Sequence, residues 1–157
     1  VVNCLVKIAA ENLMPDYSFE EGRGAGWTVE AADPSTVDFQ DKASDALTGN
    51  YSMHYWNKGL VEFDAYYTFE GLEPGTYTFS VNAQGGDSGK DATMYIYSIS
   101  DGAKEQKSFT VDGWINWKHP EISEISVTSG TVTVGIHVSA AEGAWGTFDD
   151  IYFGKIE

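Results

Sequence analysis

Residues Val61–Gln84, with the sequence VEFDAYYTFEGLEPGTYTFSVNAQ, decide the fold because they predict two β-strands around one turn. The turn lies at Leu72–Thr76, where Pro74 fixes φ and Gly75 tolerates a positive φ. Val61–Phe69 precedes the turn and has the composition of a strand. After the turn, apolar and polar residues alternate with the period of two that is typical of a half-buried strand. The apolar members of this alternation are Tyr77, Phe79, Val81 and Ala83.

The same β character continues in both directions from this stretch. No segment of ten or more residues has a convincing helical period. Ser129-Gly130 joins two predicted strands as a hairpin turn. Strands are predicted at Ser52–Trp56, Thr93–Ile99, Ile122–Thr128, Thr131–Val138 and Phe148–Ile156, and loops at Ala32–Asn50, Gly85–Asp91, Asp112–Pro120 and Ala140–Thr147. About eight strands with such turns predict an all-β fold, a two-sheet antiparallel β-sandwich of the jelly-roll type.

Length and composition fit one domain. The chain has 157 residues, of which 42 % are hydrophobic, and two domains of half this size would each have too small a core. No apolar run approaches the length of a membrane span, and the start of the chain lacks the pattern of a signal peptide. We therefore expect a mature protein or a module cut from a larger one. The single cysteine, Cys4, excludes an internal disulfide and a cysteine-based zinc site.

The charge balance is strongly acidic. The chain has nine basic and 24 acidic residues, so the formal net charge is −15. Nucleic acid and anionic membranes both require clustered Lys and Arg, so neither is an expected partner. Such an acidic surface is common in extracellular bacterial proteins, and an extracellular location is expected. A few of the carboxylates are candidates for holding Ca²⁺, and most are expected to be solvated.

Aromatic residues are the strongest signal for a binding site. They make up 14 % of the chain and include five tryptophans. Sugars have an apolar C–H face that stacks on aromatic rings, and a rim of hydroxyls that planar amides can bind. Trp145 is predicted at the tip of a glycine-flanked loop, and a tryptophan there usually meets a partner. Trp114 and Trp56 are the next candidates, whereas Trp117 and Trp27 are expected to be structural.

Three polar residues complete the predicted sugar subsite. His54 alternates with apolar residues on its strand, and Asn82 and Gln84 do so on theirs, so all three are placed on the outer face with Trp56. The alternative is that these residues form an ordinary polar sheet face. The assignment depends on strand register, since a slip of one residue exchanges the two faces.

Signals for catalysis are weak. The three histidines include no pair with metal spacing, and the sequence lacks a Gly-x-Ser-x-Gly elbow, a phosphate loop and a dinucleotide fingerprint. Glu62, Asp64, Asp87 or other acidic residues could form a glycosidase carboxylate pair, although a chance pair is expected among so many acids. We therefore predict that the chain is not an enzyme.

Several motifs resemble the galactose-binding-like jelly rolls. They are NLMPDYSFE at residues 12–20, TGNYSM at 48–53, GLEPGTY at 71–77 and FDDI at 148–151. The glycine-tryptophan segments are similar to those of carbohydrate-binding module family 61: AQGG at 83–86, GWINW at 113–117, VTVGI at 132–136 and GAWGTFDD at 143–150. The resemblance implies a monomeric, secreted module of residues 12–157, with Val1–Glu11 as an N-terminal extension or linker end.

The resemblance also implies a ligand and a role. Family 61 modules are attached to endo-β-1,4-galactanases and bind β-1,4-galactan, so the expected function is to target an attached glycoside hydrolase to plant cell-wall polysaccharide. Xylan, mannan and β-glucan are alternative ligands. A structural or adhesion domain on a cell surface is one rival function, and a glycosidase or lyase is another.

A structural Ca²⁺ ion is a further implication of the resemblance. The implied side-chain ligands are Glu20, Asp45 and Asp149, with Asp150 as a weaker candidate, and the implied backbone ligands are Ser18 and Asn50. By strand alternation Asp149 is placed on the same face as Ile151 and Phe153, where burial of a carboxylate requires a cation or hydrogen bonds. The alternative is that these acids cap turns and bind no metal.

Overall fold

A computed structural model describes residues 11–156 and contains eleven β-strands. Single-turn 3-10 helices lie at Pro34–Thr36 and Ala43–Asp45. Cys4 and all but the last residue of the predicted extension Val1–Glu11 lie outside the described residues. The strands are β1 (Thr28–Ala31), β2 (Val37–Asp41), β3 (Tyr51–Trp56), β4 (Val61–Phe69), β5 (Gly75–Gly86), β6 (Thr93–Ser100), β7 (Ala103–Ser108), β8 (Gly113–Lys118), β9 (Glu121–Val127), β10 (Val132–Ala140) and β11 (Trp145–Lys155).

The strands form two antiparallel sheets, as predicted for a β-sandwich. The first sheet has the order β1-β4-β10-β6-β7. The second sheet has the order β2-β3-β11-β5-β8, and β9 pairs with β5 beside β8. In the part of the chain described here, no helix is long and apolar enough to cross a membrane.

The core lies between the sheets and follows from the alternation in the sequence. On β5, Tyr77, Phe79, Val81 and Ala83 are at most 2 % exposed. On β4, Val61, Phe63 and Ala65 are at most 1 % exposed, and they face the same core. Stacked rings of Tyr77, Phe153 and Phe69 extend it, with centroids 5.2 and 4.3 Å apart. The two predicted strands around Pro74-Gly75 are therefore confirmed.

Five expectations about secondary structure were wrong. β1 and β7 were not predicted, and β7 has no apolar alternation because all six of its residues are exposed at the edge of the first sheet. β2 lies within the predicted loop Ala32–Asn50, and β8 lies within the predicted loop Asp112–Pro120. The predicted hairpin at Ser129-Gly130 is instead a crossover, since β9 pairs with β5 in the second sheet and β10 with β4 and β6 in the first.

A β-bulge near the start of β11 changes which face its acidic residues occupy. Asp149 pairs with Asn82 and Tyr152 with Ser80, so two residues of β11 lie opposite Val81 alone. Asp150, in the bulge, has a left-handed φ of 45°. Asp149 therefore lies on the outer face of the second sheet, and the prediction that it shares the inner face with Ile151 and Phe153 was wrong.

Candidate functional site: a tryptophan-lined face of the second sheet

Two tryptophans lie side by side on the outer face of the second sheet. Trp145 pairs with Trp56 across β11 and β3, and with Gly86 across β11 and β5. Tyr55, the neighbour of Trp56, is buried in the core, so alternation directs Trp56 outward, where it is 49 % exposed. The prediction that Trp145 occupies a loop tip was wrong, because it is the first residue of β11 and is half-buried.

The indole of Trp145 is held in one orientation. Its Nε1 donates to Asp87 Oδ2 at 3.0 Å. A Cβ atom at position 86 would lie 2.9 Å from Cζ2 of this ring, so the ring fits only because Gly86 has no side chain. A ring whose position is fixed before a ligand arrives loses little conformational entropy on binding. Trp145, Trp56, Gly86 and Asp87 form what we call the tryptophan pair site.

Trp114 lies on a bulged segment of β8. Gly113 pairs with Gly85 and Lys118 with Ala83, so the four residues between them, 114 to 117, lie opposite Gln84 alone. This excess length pushes the segment out of the sheet, and Trp114 is 55 % exposed. Its Nε1 donates to Asp45 Oδ1 at 2.9 Å, so a carboxylate fixes this indole as well.

Gln84 lies beneath this site rather than at its surface. It is 1 % exposed because the segment around Asp45 covers it. Its Nε2 donates to Thr147 Oγ1 at 2.9 Å and to the Asp45 carbonyl at 3.2 Å, and its Oε1 accepts from Ile115 N at 2.5 Å. The expectation that Gln84 contacts a ligand is therefore corrected: its amide is fully used in fixing Asp45 and Ile115.

The other two polar candidates remain partly accessible. The side chain of His54 is 23 % exposed, and its Nδ1 lies 2.6 Å from Asp38 Oδ1. Asn82 is half-buried, and it bonds the Asp150 carbonyl at 3.3 Å and His119 Nδ1 at 3.1 Å. The structure thus places both on the outer face predicted for them, each with a partner, and their role in binding stays a prediction.

The two remaining tryptophans differ from the exposed ones. Trp27 packs against the core, with ring centroids 6.3 Å from Phe19 and 5.9 Å from Tyr67. Trp117 is half-buried on the bulged segment of β8. The placement of Trp27 agrees with the structural role predicted for it, and the structural role of Trp117 stays a prediction.

The predicted metal ligands do not come together as one set. Among residues 11–156, no three or more His, Cys, Asp or Glu side chains are placed to hold a metal ion. Asp45 belongs instead to the aromatic site, where it binds Trp114 and forms an ion pair with Lys42 at 3.1 Å. Glu20 accepts hydrogen bonds from Asn50 N and Tyr51 N at 2.7 and 2.8 Å. The predicted joint coordination by Glu20, Asp45 and Asp149 was therefore wrong.

The surroundings of Asp149 nevertheless have the donor chemistry of a cation site. Asp149 is 0 % exposed, and burial raises the pKa of its carboxyl to about 7. Pairing of Met53 with Phe148 places Ser52 beside Asp149, and Ser52 in turn pairs with Gln40. Ser52 Oγ and Gln40 Oε1 are buried and have no hydrogen-bond partner among the residues that the structure describes. Carboxylate and amide oxygens, such as those of Asp149 and Gln40, are ligands that Ca²⁺ prefers.

Of the three candidates for a glycosidase pair, Asp87 lies next to a different sheet from the one that carries the other two. Glu62 and Asp64 lie on β4 in the first sheet, where Asp64 Oδ2 contacts His137 Nδ1 at 3.1 Å. Asp87 follows β5 in the second sheet and holds Trp145. Asp87 therefore has a role that needs no catalysis.

Sequence reasoning missed four residues of this face. They are Asp38, Asp87 and Ile115, together with Asp45, which had been predicted as a metal ligand. The register of β2, β5 and β8 brings them to the site, and no local motif marks that register. The position of Asp87, directly after the glycine that ends β5, was the one local signal.

Comparison with known proteins identifies solved structures that are similar to this fold. The sequence matches no protein-family model and no curated protein. A solved family 61 carbohydrate-binding module in complex with β-1,4-galactotriose is similar, with a TM-score of 0.85 and 25 % identity over 94 % of this chain and 100 % of that one. The predicted resemblance to family 61 is therefore confirmed, and the chain is a family 61-like module.

Two more distant structures support the fold alone. The CBM22-1 xylan-binding domain of Paenibacillus barcinonensis Xyn10C has a TM-score of 0.67 and 15 % identity, and covers 95 % of this chain and 97 % of its own. The enzymatically active domain of bacteriophage CBA120 tailspike protein 4 has a TM-score of 0.70 and 14 % identity, and covers 92 % of this chain but 21 % of its own. They agree with the predicted all-β, two-sheet jelly roll.

Proposed function

We propose that this family 61-like module binds β-1,4-galactan through the tryptophan face of its second sheet and catalyses no reaction. The observation that carries the proposal is the set of three accessible tryptophans on one face, two of them with the indole N–H bound to a carboxylate. The similar module that was solved with β-1,4-galactotriose supports this ligand class.

The chemistry of galactose suits this face. Its axial 4-hydroxyl leaves the opposite face of the ring broad and apolar, and that face stacks on Trp145, Trp56 or Trp114. Each stacked ring should contribute on the order of 1 kcal/mol or more. The hydroxyls at the rim then need side donors and acceptors, for which His54 and Asn82, partly accessible on the same face of the sheet, are the candidates. These polar contacts distinguish galactose from sugars without the axial group.

We propose that the module acts by concentrating an attached glycoside hydrolase on its substrate. Once the module has bound the polysaccharide, the attached hydrolase meets the same polysaccharide in an intramolecular step. The local concentration of enzyme therefore rises without new contacts to the substrate. This role requires an extracellular, plant cell-wall-degrading protein in which the module is a monomer. The net charge of −15 is compatible with that setting and unfavourable for nucleic acid or an anionic membrane.

Affinity electrophoresis on galactan, xylan, mannan and mixed-linkage glucan tests the proposal. We expect galactan alone to retard the module, and calorimetry to show tighter binding as the galacto-oligosaccharide lengthens from two to four residues. Retardation by another glycan only would replace galactan as the ligand. No retardation by any glycan would favour the structural or adhesion domain, and release of reducing sugar from galactan would favour the glycosidase.

We also propose a structural Ca²⁺ ion at Asp149, with Ser52 and Gln40 as nearby oxygen donors. A cation there offsets the burial of the Asp149 carboxylate and links β3 to β11. The ligands that the sequence resemblance implies also include Ser18, Glu20 and Asn50, which remain candidates. The ion supplies stability and does not contact sugar.

Chelation tests this proposal. A ligand that binds only the folded state stabilises it by about 2.7 kcal/mol at 100 times its Kd. Removal of Ca²⁺ with EDTA should therefore lower Tm by about 5–10 °C for a chain of this size, and added Ca²⁺, but not Mg²⁺, should restore it. Galactan affinity measured below both melting temperatures should not change. If EDTA left Tm unchanged and elemental analysis found no metal, the proposal would be wrong. Asp149 and Glu20 would then bind backbone amides alone.

A further inference from the structure

The outer face of the first sheet carries a cluster of aromatic residues. Tyr95 and Tyr97 alternate with the buried Met94 and Ile96 on β6, so their rings point away from the core. Tyr95 stacks on His137 of β10, with ring centroids 4.8 Å apart, and its centroid lies 6.0 Å from that of Tyr97. The cluster therefore lies on the opposite side of the sandwich from the proposed galactan site.

The ring of Tyr97 lies across the neighbouring strand, β10. Gly135 pairs with Tyr97 on one side and with Tyr66 on the other, and a Cβ atom at position 135 would overlap the Tyr97 ring. Burial, and then the negative charge of the nearby Asp64, raises the pKa of the Tyr97 hydroxyl. Asp64 Oδ2 also contacts His137 Nδ1 at 3.1 Å. Tyr97 and His137 are thus arranged around one carboxylate.

The strands of this sheet give the face a negative balance of charge. Glu30 pairs with Asp64 across β1 and β4, and Glu62 lies two residues before Asp64, so all three carboxylates share the face. Lys104 pairs with the outward-facing Ile99 and is the one lysine that the strands of the first sheet place there. The face is therefore suited to a positively charged ligand.

A positive charge already lies against the rings. Lys104 Nζ is 5.2 Å from the ring centroid of Tyr95 and 4.9 Å from that of Tyr97, within the distance of about 6 Å over which a cation is attracted to an aromatic face. Lys104 belongs to β7, an edge strand whose residues are all exposed. Its side chain can therefore move into solvent without uncovering the core, which leaves the rings free for another cation.

We propose that Tyr95 and Tyr97 form a binding site for an organic ammonium group, and that Lys104 is its intramolecular occupant. The ring faces and the neighbouring carboxylates attract the charge, and the carbon substituents of the ammonium are covered by the rings. The ammonium of an amino sugar and that of a choline-like ion share this chemistry. The site goes beyond the proposed function and requires none of the tryptophans.

Titration by NMR with choline and with galactosamine tests the site. Each has an uncharged control: the isostere of choline in which carbon replaces nitrogen, and N-acetylgalactosamine. Only the charged compounds should shift the amide resonances of Tyr95 and Gly135. In Lys104→Ala the Kd should be on the order of 10 mM, as expected for two rings at a surface. Wild type should bind about fivefold more weakly, because Lys104 covers the rings most of the time.

Lys107→Ala is the matched control for the lysine. Lys107 is exposed on the same strand, but it pairs with the buried Ile96 and so faces away from the two tyrosines. Its replacement changes the net charge equally and should leave the affinity at the wild-type value. Tyr95→Leu, made in the Lys104→Ala background and checked for a folded spectrum, should abolish the shift at Gly135.

The two probes also identify the source of the ammonium. A response to choline alone supports a site for a quaternary ammonium, and a response to galactosamine supports a site for an amino sugar. Equal shifts by a charged compound and its neutral control, or no shift at these amides in Lys104→Ala, would overturn the site. Galactotetraose affinity should be the same in Lys104→Ala and wild type, so failure here leaves the galactan proposal standing, and failure of that proposal leaves this one standing.

Discussion

Replacement of Trp56 or Trp145 by alanine should reduce galactotetraose affinity at least 30-fold. The two residues are cross-strand neighbours on one face of the sheet, so each indole offers a surface on which a ring of the glycan chain stacks. Interface tryptophans that are truncated commonly cost 2 kcal/mol or more, and about 2 kcal/mol corresponds to roughly 30-fold in Kd. Trp114→Ala should cause a smaller loss, about tenfold, because this single ring lies on β8, apart from the pair on β3 and β11. Titration calorimetry on variants with a wild-type circular dichroism spectrum measures all three.

The control for these variants is Tyr17→Ala. Tyr17 is 49 % exposed, as Trp56 is, but it lies before β1 and outside the second sheet. Its removal should leave affinity unchanged, which separates a stacking site from a general loss of surface aromatic area. Wild-type binding by well-folded variants of all three tryptophans would place the site on another surface. Asp87→Asn should give an intermediate result, because the Trp145 ring would lose a charged acceptor but keep a neutral one.

Much of the fold could be predicted because it depends on local alternation. The sequence around Pro74-Gly75 predicts β4 and β5, and the alternating residues of β5 are the buried ones. β7 could not be predicted in this way, because a fully exposed edge strand has no apolar period to detect. The pairing partner of β9 could not be predicted either, since a short glycine turn permits both a hairpin and a crossover between sheets.

The candidate site was harder to predict because it depends on register and coverage. The outward direction of Trp56 follows from the burial of Met53 and Tyr55 on the same strand. The burial of Gln84 does not follow from its own strand, because a segment some 40 positions earlier folds over it. For Asp149, one extra residue in a bulge reversed the face that simple alternation assigns. Sequence periodicity therefore misses two features here, which are the burial of one strand by a segment distant in sequence and the β-bulge.

Asp149→Ala should destabilise the fold more than any other single replacement of an acidic residue. The Asp149 Oδ2 atom accepts from Leu47 N at 2.8 Å and from Thr48 N at 3.0 Å, and its Oδ1 atom accepts from Asp150 N at 2.8 Å. Alanine leaves these three N–H groups without their acceptor, and each unsatisfied buried group costs about 1–3 kcal/mol. Partial access of water to the 47–48 segment moderates the sum, so we expect a loss of about 3 kcal/mol, seen as a fall in Tm of about 6–12 °C.

Two further variants show whether the cause is the carboxylate itself. Asp149→Asn keeps one oxygen for Leu47 N and Thr48 N, so it should be intermediate in stability, and it should also abolish the response of Tm to Ca²⁺ because the charge is lost. Asp150→Asn is the matched control: position 150 is half-buried, and asparagine tolerates its φ of 45°. Its Tm should stay within about 2 °C of wild type. Equal destabilisation by Asp149→Ala and Asp150→Asn would mean that the bulge geometry, and not the buried carboxylate, holds the 47–48 segment against the sheet.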